Sequence, residues 1–238
     1  INTAVTGSAP LAPEIQRFMQ TVLKAPVRQG YGLTENCACV TLGAKEDNMV
    51  KSVGAPHSCS VIRLADWPEG LYMNSDKTRP DVGMARGEVL VGGPAVCMGY
   101  FVDPDSPDPD VVKKNEEEFL TIKGVRYFRT GDIGQITPLG TIQIIDRKKD
   151  LWKGPQGEYV ALSKVESAVK MSPYVDIPMV YGKTGGEYPV CLICVVDREV
   201  SKWAAANGCP TSGTEMVNNQ KVIDEVLRSV KDECKKAE

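Results

Sequence analysis

The chain has 238 residues, 42% hydrophobic and 25% charged, enough apolar material for one large core or two smaller ones, which excludes disorder over most of its length. A formal net charge of −3 is a poor balance for neutralising many phosphates, so nucleic acid is not an expected partner. No apolar run reaches the ~18 residues of a membrane helix. The opening INTAVTG has neither the basic start nor the apolar stretch of a signal peptide, and the absence of an initiator Met points to a piece of a longer protein.

The first elements in chain order are a β-prone INTAVTG, a GSAP turn, and a helix from Leu11 on which Leu11, Ile15, Phe18, Met19, Val22 and Leu23 recur at helical spacing. Pro13 sits near the start of that helix and Pro26 beyond its end. A short strand over 27–29 then leads into the turn Gly30, Tyr31, Gly32. Strand, helix, strand reads as the tail of a parallel α/β sheet, whose ligands bind beyond the carboxyl ends of the strands.

From residue 51 to 146 the pattern changes to short β-prone runs at 60–64, 87–91, 125–129 and 140–146, which predict a small antiparallel sheet or barrel. DPDSPDPD, at 103–110, carries four aspartates, but prolines at 104, 107 and 109 break the ligand spacing of a calcium loop, so it reads as a stiff solvated loop. From 147 on, Ser163 and Glu166 form a capping-box pattern opening a helix with Val165, Val169 and Met171 inward. Strands are expected near 177–181 and 189–196. A last helix repeats Val222, Ile223, Val226, Leu227, Val230 and Cys234.

Eight cysteines accompany a single histidine. Cys37 and Cys39 lie close together, and Cys191 and Cys194 fall within the apolar run PVCLICVV, where a strand would point them to opposite faces. Zinc sites need paired ligands flanked by turns. The expectation is free, mostly buried thiols in a reducing, intracellular compartment, on the cytoplasmic side. The lack of an Asn-x-Ser/Thr sequon agrees with that compartment.

Three clusters carry potential chemistry. QGYGLTE, at 29–35, sets two glycines beside an aromatic ring that can stack on a flat ligand, followed by the hard oxygens of Thr34 and Glu35, suited to a phosphate-bound Mg²⁺. YFRTGD, at 127–132, ends in Asp132, whose carboxylate can accept two hydrogen bonds from a ribose diol. IDRKKD, at 145–150, is followed by Lys153 and a glycine-flanked turn to Gly157. Singly, each has a plain alternative: a β-to-α turn with a capping Thr, a hairpin aspartate, a solvated linker.

Together, in order and spacing, the runs TGSAPLAPE, QGYGLTE, RGEVLVGGPAVCMGYF, YFRTGDIG and IDRKKDLWKGPQGEYVALSKVE resemble the acyl-adenylate-forming ligases. Among them the chain is similar to the long-chain fatty acyl-CoA synthetases. The fold this implies is part of an adenylate-forming enzyme: α/β plus a β-rich unit plus a small α+β C-terminal domain. Its expected parts are the end of a large-domain sheet over 1–50, a barrel-like subdomain over 51–148 and an incomplete small mobile domain over 149–238.

The resemblance implies roles by position. Gly7, Ser8 and Ala9 border the adenine, Tyr31 stacks on it between Gly30 and Gly32, and Thr34 and Glu35 hold phosphate and Mg²⁺. Asp132 binds the ribose, Arg147 also reaches it, Lys149 is the hinge, and residues 157–159 form the loop that rotation brings to the site. Thr34, Glu35 and Lys149 serve catalysis. The substrates implied are ATP, a long-chain fatty acid and coenzyme A, with Mg²⁺ as cofactor, and a peripheral membrane association of the longer protein fits the resemblance. Alternatives are a ligase for another carboxylic acid and a non-catalytic nucleotide-binding or association module. The sequence departs from the pattern in three places. It holds no Ser/Thr/Gly-rich phosphate loop, it holds no terminal lysine motif, and Gly93 stands where the pattern has Arg. The chain alone is expected to lack synthetase activity.

Overall fold

The computed structural model describes every residue except Pro10, Glu158, Thr184, Gly185 and Glu238, together with the side chain of Ala237. The chain divides into two compact units, Ile1–Lys148 and Lys149–Glu238.

The first unit opens with β1 (Ala4–Thr6), α1 (Pro13–Leu23) and β2 (Val27–Tyr31). Pro13 takes the first turn of α1, where its missing N–H costs nothing, and left-handed Lys24 ends the helix. β1 and β2 pair in parallel, Ala4 with Val27 through Thr6 with Gln29. β3 (Thr41–Leu42) and β4 (Ala55–Pro56) extend this sheet antiparallel. The helical spacing of α1 is real, but its apolar stripe faces outward: Ile15, Phe18, Met19 and Val22 are exposed, Phe18 by 64%. The buried residue is Gln16, whose Nε2 donates to the Val27 carbonyl at 2.9 Å while its Oε1 accepts from Gln29 at 2.7 Å. Periodicity identifies a stripe and not what covers it.

A five-stranded antiparallel sheet follows, built from β5 (Val61–Ala65), β6 (Ala85–Gly92), β7 (Phe119–Ile122), β8 (Val125–Ile136) and β9 (Ile142–Arg147), in the order β5-β6-β8-β7 with β9 also on β8. Val40, Val89 and Val91 form its core with Tyr31, Leu33, Ile62, Leu64 and Ile144 around them. Two differences from the sequence reading concern this sheet. β8 does not stop at residue 129; it continues to Ile136 through a bulge. And the aspartate-rich run ends as a helix start: Asp108 caps α2 (Pro109–Glu118), its carboxylate accepting from the Asp110 N–H at 2.9 Å, with Pro109 in the first turn. Asp–Pro before a charged, unbroken stretch is a helix signature, and it outweighs the loop character of the prolines.

The second unit holds the hairpin β10 (Leu151–Lys153) and β11 (Tyr159–Ala161), then α3 (Leu162–Val169), the antiparallel pair β12 (Val175–Tyr181) and β13 (Val190–Val195), and α4 (Asp197–Ala206), α5 (Gly213–Val217) and α6 (Gln220–Ala237). Val200, Ala204, Met216, Val222 and Val226 form one core cluster, in which α4 and α5, which the periodicity did not single out, meet α6; α6 also packs on α3. Trp152 is buried with its Nε1 donating to the Lys183 carbonyl at 3.0 Å, and a Cβ on Gly182 would lie 2.2 Å from its ring.

Three expectations fail here. Ser163 does not cap α3: β11 runs directly into the helix, Ala161 is the cap, and Ser163 is already inside, its carbonyl accepting from Ser167. Glu166 turns instead to the β12 backbone, accepting from Val180 N–H at 2.8 Å. Met171 and Leu227 are exposed, while Val169 is buried and Val165 half-buried. Cys191 and Cys194 do fall on opposite faces of β13. None of the eight cysteines is buried, however: five are exposed, three intermediate, and all are free thiols.

Candidate functional site

The site begins where two parallel strands end. Gly7 follows β1 and Gly30 lies in β2, and a Cβ on Gly7 would touch the Gly30 carbonyl at 3.4 Å. Ser8 turns the chain there with φ +72. The 7–9 turn thus borders the Gly30–Tyr31 segment at the carboxyl ends of the strands, the ligand side of such a sheet. Gly32 is required sterically: a Cβ would fall 1.4 Å from the Ala38 carbonyl oxygen.

The antiparallel sheet aims a carboxylate at this segment. Glu88 of β6 faces Ile133, whereas Leu90 faces Arg129, so Val89 alone opposes Thr130, Gly131 and Asp132. This is a bulge, made possible by left-handed Gly131 at φ +69. Thr130 Oγ1 plugs it, donating to the Val89 carbonyl at 2.8 Å and accepting the Asp132 N–H at 3.0 Å. Asp132 then pairs with Arg147 across the β8–β9 ladder. Arg147 Nε lies 3.4 Å from Asp132 Oδ1, and the Tyr31 hydroxyl donates to Oδ2 at 2.7 Å. Asp132 is buried and Arg147 exposed, so the carboxylate sits at the bottom with the guanidinium at its rim. Burial, and then the Asp132 charge, push the Tyr31 phenol far above the ordinary tyrosine range, so it remains a donor at every working pH. The hairpin reading of Asp132 does not hold: it lies inside a long strand.

Thr34 and Glu35 begin the one-turn 3₁₀ segment Thr34–Asn36. Thr34 is exposed. The Glu35 carbonyl accepts from Cys97 N–H at 2.9 Å and its Oε1 from the Tyr100 hydroxyl at 2.7 Å. The same hydroxyl lies 3.1 Å from Glu118 Oε2. One phenolic proton between two carboxylates makes Tyr100 the arbiter of their orientation. Burial, then the Glu35 hydrogen bond, raise its pKa strongly. Asn115 holds Tyr100 from both sides, accepting its N–H at 2.7 Å and donating to its carbonyl at 2.9 Å. Beneath the turn, Asn36 is buried with neither amide atom hydrogen-bonded among the described residues.

Sequence reasoning missed Tyr100 and Glu118, because the loop reading of 103–110 predicts no helix over the residues that follow and Glu118 then has no fixed place; the Asp–Pro helix start was the available signal. It also missed the ion cluster on Glu88. This carboxylate is buried, with Arg129 Nη2 at 2.6 Å and Lys148 Nζ at 3.3 Å, and Lys148 sits 5.1 Å over the Trp67 ring. Burial raises the Glu88 carboxyl, but the Arg129 hydrogen bond and Lys148 charge outweigh it and hold it below the usual range. Gly93, where the family pattern has Arg, has φ +127, and a Cβ there would meet the Cys59 carbonyl at 2.3 Å; a longer side chain does not fit this backbone. Lys149 is exposed and is the first residue of the second unit. Gly157 turns at φ +87, and Glu158 of the 157–159 loop lies outside the described residues.

Residues 1–101 match the family described as AMP-binding enzyme. Beyond those residues the likeness to adenylate-forming enzymes extends over nearly the whole chain. It is 41% identical over 97% of its length to long chain acyl-CoA synthetase 8 of Arabidopsis thaliana, and 36% identical over 94% to fatty acyl-CoA synthetase A of Dictyostelium discoideum. It spans 30% and 32% of those proteins, less than a third of the relatives' own length. Among solved structures it is similar to the adenylation domain of a carboxylate reductase from Mycobacterium chelonae, with TM-score 0.75 and 26% identity over 98% of this chain and 31% of that one. The corresponding domain from Segniliparus rugosus, solved with AMP and a co-purified carboxylic acid, gives TM-score 0.69 and 28% identity over 97% of this chain and 31% of that one.

Proposed function

We propose that the chain forms part of an ATP-dependent long-chain fatty acid–CoA ligase. In the first step the fatty carboxylate attacks the α-phosphorus of ATP and pyrophosphate leaves. In the second the thiol of coenzyme A attacks the acyl carbonyl and AMP leaves. No side-chain nucleophile is required, so the protein's work is orientation and charge stabilisation.

The observation that carries this reading is the convergence of Tyr31, Asp132 and Arg147, drawn from β2, β8 and β9, beside the Gly7–Gly30 turn. Asp132, held on one oxygen by Tyr31 and on the other by Arg147, presents a fixed acceptor for a ribose diol. Gly7, Ser8, Ala9, Gly30 and Gly32 allow backbone to approach the flat base, on which the Tyr31 ring stacks. Thr34 and Glu35 offer the hard oxygens that suit Mg²⁺, and the unsatisfied buried amide of Asn36 next to them marks a turn built for a polar occupant. When bound, Mg²⁺ neutralises phosphate charge during attack and departure. Tyr100 orients Glu35 for this task. Lys149, exposed at the start of the second unit, is the pivot by which that unit exchanges the face it presents between the two steps.

Calorimetric titration of the chain with AMP tests the nucleotide part. Asp132→Asn is expected to weaken AMP binding about tenfold or more, the value of one charge-assisted contact. Unchanged affinity would remove Asp132 from the site. For the longer protein, oleate-dependent ATP–pyrophosphate exchange supports a fatty-acid ligase; exchange with only short or aromatic acids would move the assignment to another carboxylic acid.

A further inference from the structure

The chain contains one histidine, and it is placed against a thiol. His57 Nε2 lies 3.1 Å from Cys39 Sγ. The β3–β4 ladder fixes both partners. Thr41 pairs with Pro56, His57 N–H donates to the Val40 carbonyl at 3.0 Å, and Val40 N–H donates to the Tyr31 carbonyl at 2.9 Å. The imidazole is therefore held by backbone immediately beside the residue that follows Cys39. Cys39 is exposed and His57 is partly exposed, so a reagent can reach the sulfur. The Thr41 carbonyl also lies 3.4 Å from this sulfur.

Nothing in the adenylation chemistry uses this pair. An imidazole at hydrogen-bond distance from a solvent-facing thiol is the arrangement that makes a cysteine nucleophilic, because the base takes the proton as the sulfur attacks. Four other cysteines are also exposed: Cys37, Cys59, Cys191 and Cys194. Exposure alone therefore does not distinguish Cys39; the base does.

We propose that Cys39, with His57 as its base, is a site of thiol–disulfide exchange with small disulfides of the glutathione type. The thiol proton passes to His57 Nε2. Cys39 Sγ attacks one sulfur of the small disulfide, a new S–S bond forms, the reagent's S–S bond breaks, and the departing thiolate takes the proton back from the imidazolium. Cys39 is oxidised to a mixed disulfide and half of the reagent is reduced to thiol, so atoms and electrons balance without a further reactant.

The site has a structural consequence because of where it lies. Cys37 and Ala38 are consecutive left-handed non-glycine residues, with φ +51 and +81, and the Ala38 carbonyl presses on Gly32. An adduct on Cys39 is thus attached to a tightly held segment one step from the Gly32 turn.

Oxidised glutathione is the probe. The reduced chain is exposed to it for short times, quenched in acid, digested, and each cysteine's initial rate of adduct formation is read by mass spectrometry. Cys39 is expected to react about tenfold faster than Cys37 or Cys59, a modest share of what a positioned base supplies. His57→Gln, which keeps a polar side chain but takes no proton, is expected to bring Cys39 down to the rate of its neighbours with the circular dichroism of the chain unchanged. Equal rates for Cys39, Cys37 and Cys59 in the unmutated chain would overturn the proposal without any variant. So would a fast Cys39 that His57→Gln leaves fast.

Discussion

The contact between Tyr31 and Asp132 joins residues 101 positions apart and ties the strand-end turn to the bulge. Its energetic weight follows from its surroundings. A hydrogen bond to a charged acceptor contributes about 1.5–3 kcal/mol. Asp132 is buried, so the middle rather than the bottom of that range applies to the phenol at 2.7 Å. Arg147 is 59% exposed and 3.4 Å away, so its pairing is largely screened and contributes at most ~1 kcal/mol. Tyr31→Phe is therefore expected to cost about 2 kcal/mol. Asp132→Asn keeps a neutral acceptor for the phenol and loses only the charge assistance and the weak arginine pair, about 1.5 kcal/mol. The double variant is expected to cost about 1 kcal/mol less than the sum, because the shared bond can be lost only once.

A single melting curve is a poor readout for a chain of two compact units. Hydrogen exchange followed by mass spectrometry on peptides covering β2 and β8 reports the first unit alone, and 2 kcal/mol corresponds to roughly thirtyfold faster opening. Peptides of α6 serve as the internal control and should not change. Additivity of the two substitutions within ~0.5 kcal/mol, or unchanged exchange in β8 of Tyr31→Phe, would refute the claim that the phenol holds the carboxylate.

Glu88→Gln should shrink the stability of the first unit at neutral pH by about 1–2 kcal/mol, discounted because Arg129 and Lys148 are each about a third exposed. Because the folded Glu88 carboxyl is held low, its contribution is complete above the unfolded value of ~4.3 and disappears as pH falls through the folded value, so unmutated and variant chains should converge in acid, as denaturant titration across pH can check. Gly32→Ala must displace the Ala38 carbonyl from 1.4 Å, so it should destabilise the unit by more than ~2 kcal/mol and raise exchange across 30–41; a neutral result would mean the 37–39 segment moves freely. In the longer protein, Lys149→Pro fixes φ at the unit boundary and restricts Lys148, and is expected to impair pyrophosphate release and thioester formation unequally. Equal loss in both, or loss in neither, would place the pivot elsewhere.

Much of the site was legible because it is local. QGYGLTE, RTGD and IDRKKD each carry their glycines and oxygens within a few residues, and a turn needs only neighbours in sequence to be recognised. β1, α1 and β2, and the strands near 60–64 and 87–91, were likewise announced by short-range pattern. What sequence did not determine is what these pieces meet. The aim of Asp132 depends on Val89 opposing three residues of β8, a register no run of residues displays. The partner of Glu35 is a tyrosine 65 positions away, oriented by the helix that the aspartate–proline run begins. The stripe of α1 fixed its helical form but not its burial, since hydrophobic spacing specifies a face and only packing specifies what covers it. The cysteines show the same division: their number and spacing argued for free thiols, while their exposure, and the histidine beside one of them, came from the tertiary fold, because side-chain accessibility is set by residues distant in the chain.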